Sequence, residues 1–146
     1  MSHILIQQMV RIREELDVAK STVDYLERLW PSLHDELAFE ALQLAQVRMT
    51  ALNLESTYIV RLFSAFEAVL RNVLPGKQPD RRSAYNLISK AASKWHIPSS
   101  IVTKVDGIRE FRNRYVHHAE TDSSSITFSE ALAALNHFLS RLPDPP

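Results

Sequence analysis

The sequence contains no cysteine. That absence excludes disulfide frameworks, cysteine-based zinc sites and thiolate catalysis, and it suits a reducing compartment such as the cytosol. Glycine is nearly as scarce. Only Gly76 and Gly107 occur in 146 residues, and neither has the neighbours of a Walker or dinucleotide phosphate loop. No apolar run approaches the roughly 20 residues of a membrane-spanning helix, and the opening MSHILIQQMVRIREELD lacks the basic start and continuous apolar stretch of a signal peptide. A soluble, cytoplasmic protein is the expectation. The histidines His3, His34, His96 and His137 are scattered without HxxxH or HExxH spacing, so neither a metal nor another cofactor is expected. No GxSxG elbow accompanies the serines, which read as cap and loop residues.

What the chain does have is enough apolar content, 45 %, to bury a core within one domain spanning 1–146. Net charge is zero, with 17 basic and 17 acidic side chains, but its distribution is uneven. Residues 1–70 hold 6 Lys/Arg against 10 Asp/Glu, a net of −4, whereas residues 71–118 hold 10 against 3, a net of +7. Helix formers dominate throughout and no stretch reads as a strand, so the expected fold is all-α, a single-domain bundle of five to six helices.

The first helix is drawn by one stripe at alternating spacings of four and three: Leu5, Met9, Ile12, Leu16, Ala19, Val23, Leu26 and Trp30. Such a stripe is a bundle seam, within the protomer or against a second copy. Pro31 is expected to end it, which leaves residues 1–30 as a long N-terminal helix. Ser32 with Asp35 resembles a capping-box start, after which the pattern stays helical through Leu74 as one long helix or a broken pair. Its second half, STYIVRLFSAFEAVLRNVL, is apolar around much of its circumference and should be central, with Arg61, Glu67 and Arg71 as exceptions. A loop from Pro75 through KQPDRR follows, a helix restarts near Ser83 and runs to about His96, and IPSS precedes another helix from about Ser99. After a break at AETDSSS, Thr127 and Glu130 stand in capping-box spacing at the head of a last helix, and residues 142–146 form a tail.

The stretch IREFRNRYVHHAE, Ile108 to Glu120, sits in the most basic segment. At about 100° per residue, Ile108, Phe111, Tyr115 and Ala119 share one arc and define the buried side. Arg112 lies at the edge of that arc, Arg109, Asn113 and His117 follow on the next flank, and Arg114 and His118 lie across the apolar stripe. A half-buried arginine needs a partner, and Glu67 on the central apolar helix is one candidate. Arginine, asparagine and histidine together, without a metal-ligand pattern, point to phosphate chemistry. A guanidinium fork matches phosphate oxygens, and a histidine can exchange a proton near neutral pH. On RNA this suffices in principle without a metal: a base deprotonates the ribose 2′-hydroxyl, the cation stabilises the phosphorane, and an acid protonates the leaving 5′-oxygen. Arg112 and His117 stand about 140° apart on an ideal helix, so a two-fold dimer facing two such helices would gather both pairs in one cleft. Arg109, Arg114, His118 and Tyr115 are candidate substrate contacts. His118 reads equally as a helix C-terminal cation interacting with the dipole. Tyr85 and Trp95 are aromatics able to stack on bases or to fill the core. Lys77, Arg81, Arg82, Lys90 and Lys94 form either a backbone-binding track or a solvated face.

RNRYVH, Arg112 to His117, resembles the arginine, four to six residues, histidine signature of HEPN domains, including the asparagine that often follows the arginine. The succession of a long hydrophobic helix and a late motif helix over residues 56–146 is similar to their layout as well. That resemblance implies a metal-independent endoribonuclease, usually dimeric, acting as a toxin or phage-defence effector. It implies catalysis by Arg112 and His117, orientation by Asn113, and products ending in a 2′,3′-cyclic phosphate and a 5′-hydroxyl. RNA as substrate, a second copy of the chain and an antitoxin or other regulatory protein are the implied partners. A tyrosine two residues after the histidine, common where such toxins are silenced by nucleotidyl transfer, is here Ala119, so that form of control is not expected. Two other readings stay open: a HEPN-like module that binds nucleic acid or nucleotide without cutting it, and a structural helical protein that dimerises.

Overall fold

The computed structural model describes residues 3–33, 44–74, 82–118 and 126–143, and not the side chains of residues 3–6, 33 and 118. These residues form five helices in chain order: α1 (His3–Leu33), α2 (Leu44–Val73), α3 (Ala84–Lys94), α4 (Ser99–His118) and α5 (Phe128–Leu139). There is no strand among them, as the composition predicts. The expected breaks at AETDSSS and along most of the Pro75 loop lie outside the described residues. No described helix is long and apolar enough to cross a membrane.

α2 is the centre of the bundle and touches each of the other four helices. Ile59, Leu62, Phe63, Phe66 and Leu70 are each at most 1 % exposed and form one stripe at helical spacing, which buried Ala65 and Val69 widen on one side. The Phe66 ring lies 5.7 Å from that of Phe63 and meets Phe138 of α5 edge-on at 5.3 Å, the favoured geometry for ring quadrupoles. Met9, Ile12 and Leu16 of α1 are buried and Ala19, Val23, Leu26 and Trp30 half-buried. The N-terminal stripe is thus a seam against α2 of the same protomer.

Local signals set most boundaries. Ser83 caps α3, its hydroxyl accepting the Asn86 N–H at 3.3 Å. Thr127 and Glu130 form the reciprocal capping box of α5. α3 ends with the Ile97 N–H bonded to Ala92 O at 3.0 Å and His96 at φ 52°, a left-handed position where glycine is usual. Two expectations need correcting. α1 carries Pro31 inside it and runs on to Leu33, because a proline this close to a helix end forfeits one amide bond in a turn whose later residues need no further support. Ser32 therefore belongs to the last turn of α1 rather than to the start of a new helix, and Asp35 lies outside the described residues.

One polar contact ties three helices together. The Glu55 carboxylate on α2 accepts the Phe128 N–H at 2.7 Å through one oxygen and Lys20 Nζ of α1 at 2.8 Å through the other. It supplies an acceptor to the first amide of α5, which has none within its own helix. Burial pushes the Glu55 carboxyl up, but the hydrogen bonds from Lys20 and the Phe128 amide, with the Lys20 charge, outweigh that and hold it below the ordinary carboxylate range. The folded state therefore releases this proton more readily than the unfolded chain, and the contribution to stability is full above the unfolded glutamate value of about 4.3. It fades as pH falls through the lowered folded value. Glu55→Ala should lower stability by about 1–2 kcal/mol in urea unfolding at pH 7, with the gap from wild type narrowing below pH 4; a constant gap would assign the effect to packing alone.

Candidate functional site on the fourth helix

α4 starts at Ser99, just after Pro98, whose carbonyl accepts the Ile101 and Val102 amides at 3.0 and 3.2 Å. Ile101, Val105, Ile108 and Phe111 are buried and set the rotation of the helix on the core. The Tyr115 hydroxyl lies 3.2 Å from Thr57 Oγ1 and donates to the Asn53 carbonyl at 3.4 Å, and its ring runs nearly parallel to Phe111 with centroids 6.2 Å apart. Tyr115 thus pins the C-terminal half of α4 to α2. Of the candidate substrate contacts, Tyr115 is committed to holding the helix.

With the rotation set, the remaining motif residues take three different environments. Arg112 is half-buried. Its Nη1 donates to Asn113 Oδ1 at 3.0 Å, while its Nε is buried without a hydrogen-bond partner. Among the described residues no carboxylate lies within ion-pair distance of it. The expected pairing with Glu67 is not formed, because Glu67 is held by Arg71 one turn along α2. An i,i+4 pair on one helix orders fewer torsions than a bond between helices.

Arg109 is the opposite case. Its Nε donates to Asp106 at 2.6 Å, its Nη2 lies 3.5 Å from Glu110, and its guanidinium sits 5.6 Å from the centre of the Tyr85 ring on α3. The hydrogen bond from Arg109 to Asp106 outweighs desolvation and, with the nearby carboxylate charges, raises its pKa above the ordinary arginine value. Its charge is balanced inside the protein, which makes it a link between α3 and α4 rather than a spare cation for a phosphate. Arg13, Arg48, Arg61 and Arg71 also hold carboxylates.

His117 points outward and is exposed, as are Arg114 and Val116. His118 closes α4, and its side chain lies outside the described set. No hydrogen bond joins Arg112 to His117. The structure therefore brings Arg112 and Asn113 together and leaves His117 on a different face of the same helix. On the other flank of α4 a groove of about 650 Å³ opens against α5, lined by Lys104, Gly107, Ala133, Ala134 and His137 among others. A Cβ at Gly107 would meet nothing within 4 Å, so packing does not require glycine at this position. Among the described residues no three His, Asp or Glu side chains gather as a metal site.

The chemical capacity is that of an anion contact at Arg112 and Asn113, with a proton-exchanging imidazole on the solvent face. No protein-family model matches the chain, and no curated protein or solved structure is similar to it. The two arginines one turn apart should separate in unfolding experiments. Arg112→Met removes an unpaired buried N–H and should leave stability unchanged or raise it by about 1 kcal/mol, whereas Arg109→Met strands Asp106 and should cost about 1–2 kcal/mol. Equal losses at both positions would show Arg112 to be structural.

Proposed function

We propose that this protein is a metal-independent endoribonuclease of the HEPN kind, acting through Arg112 and His117. The observation that carries the reading is the state of Arg112: a half-buried guanidinium with a desolvated Nε–H, steered by Asn113 and given no carboxylate among the described residues, while the arginine one turn earlier is neutralised. A buried unpaired N–H on a cation is costly to maintain; the part of this half-buried side chain that stays accessible can meet an anion, and a phosphate oxygen is the acceptor that a guanidinium's planar fork best fits. The RNRYVH resemblance and the all-helical fold agree with this reading.

In this mechanism His117 takes the proton of a ribose 2′-hydroxyl, the 2′-oxygen attacks phosphorus, and the P–O5′ bond breaks as an acid protonates the leaving oxygen. Arg112 binds the non-bridging oxygens and stabilises the charge that grows on them. His117 of the same protomer faces away from Arg112, so the Arg112 of one protomer works with the His117 of its partner across a two-fold pair of α4 helices, whose cleft gathers both pairs. The biological role that goes with this chemistry is a toxin or defence effector held in check by a partner protein. The separation of Arg112 from His117 also favours a second reading, in which Arg112 and Asn113 bind a phosphate of RNA or a nucleotide and His117 has no part.

Purified wild type, Arg112→Ala and His117→Ala incubated with mixed structured and single-stranded RNA in excess EDTA separate the two. Wild type should cut, leaving 2′,3′-cyclic phosphate and 5′-hydroxyl ends, and each variant should be at least about 100-fold slower. Inert wild type that still binds RNA in an Arg112-dependent way would move the assignment to the binding module.

A further inference from the structure

One turn before Arg112 on α4, Arg109 holds an aromatic of α3 that the proposed chemistry leaves unused. Tyr85 stands in the first turn of α3 and is 57 % exposed. Its ring is nevertheless held in place, because the Arg109 guanidinium lies over it at 5.6 Å and is itself clamped by Asp106 at 2.6 Å. The other aromatics singled out in the sequence lack this combination. Tyr115 is tied to α2 through its hydroxyl, and Trp95 is half-buried with Lys94 Nζ 4.7 Å from its ring.

Position gives the exposed ring a meaning. Arg109 precedes Arg112 by three residues and Asn113 by four, spacings that make side chains neighbours on a helix surface, with an axial rise of about 4.5–6 Å. Successive phosphates advance about 3.4 Å along a duplex strand, and a relaxed single strand reaches further. Tyr85 lies 5.6 Å from the Arg109 guanidinium, so a strand bound by one phosphate at Arg112 reaches its ring within a nucleotide or two.

We infer that Tyr85 is a stacking platform for an unpaired base next to the phosphate held at Arg112, and that the substrate is single-stranded RNA. The inference rests on the phosphate-binding reading of Arg112. Stacking on a protein ring requires a base with a free face. Bases within a duplex have both faces covered, so the platform selects loops, ends and unpaired strands. Holding the ring beforehand with Arg109 reduces the ordering that binding demands.

The test uses the full chain and 2′-O-methyl oligoribonucleotides, which bind without being cut at the 2′-position, single-stranded or duplex and carrying 2-aminopurine as a reporter of stacking. Wild type should prefer the single strand and quench its fluorescence. Tyr85→Ala and Tyr85→Leu should each weaken single-strand binding about five- to hundredfold and abolish the quench, with duplex binding and melting temperature unchanged, while Tyr85→Phe keeps both affinity and quench. If Tyr85→Ala and Tyr85→Leu bind the single strand as wild type does and Arg112→Ala does not bind, the platform is overturned and the phosphate contact stands. If wild type binds neither strand, both fall together.

Discussion

The structure depends on the broad apolar face of α2. Because Ile59, Leu62, Phe63, Phe66 and Leu70 form a stripe closed to water, the helices packed on it must turn an apolar face toward this one, and α4 does so with Ile101, Val105, Ile108 and Phe111. Arg112 is carried to the rim of the core by the register of its helix, and Tyr115 one turn on, bonded to Thr57 and Asn53 of α2, prevents the helix from rotating to release it.

A cation in that position has three ordinary remedies: a carboxylate, a full set of neutral acceptors, or movement into water. Arg109 takes the first, with Asp106 and Glu110. Arg112 takes none completely, with one bond to Asn113 and a buried Nε that has no acceptor. Stability and function are opposed at such a residue, since the partner that would relieve it is also the partner that would block an incoming anion. Glu67, the one candidate carboxylate named from the sequence, is held by Arg71 on its own helix.

Much of the fold is legible in the chain because it is written in local patterns. Ser83, the Thr127–Glu130 box, the start of α4 and the inward arc of Ile108, Phe111 and Tyr115 follow from caps and 3.6-residue periodicity. Non-local pairings were not legible. Nothing in the sequence ties Glu55 to the Phe128 amide, 73 positions away, or Tyr115 to Asn53, since hydrogen bonds between helices leave no periodic trace. The Asp106–Arg109 pair was accessible in principle from its i,i+3 spacing and would have marked Arg109 as occupied. Pro31 misled because its effect on a helix depends on how near the end it falls. Within the candidate site, the sequence arc correctly places Arg112 at the core edge and His117 away from it, and says nothing of Asn113 as the hydrogen-bond partner of Arg112.

The central claim is that Arg112 and His117, held on different faces of one helix, work in a site that two copies of the chain complete. Mixing Arg112→Ala and His117→Ala proteins tests it directly. If each site draws its arginine from one protomer and its histidine from the other, RNA cleavage that neither variant shows alone should return in the mixture, in the heterodimers that retain one intact site. Mixtures that exchange subunits and remain as inert as their parents would contradict the account.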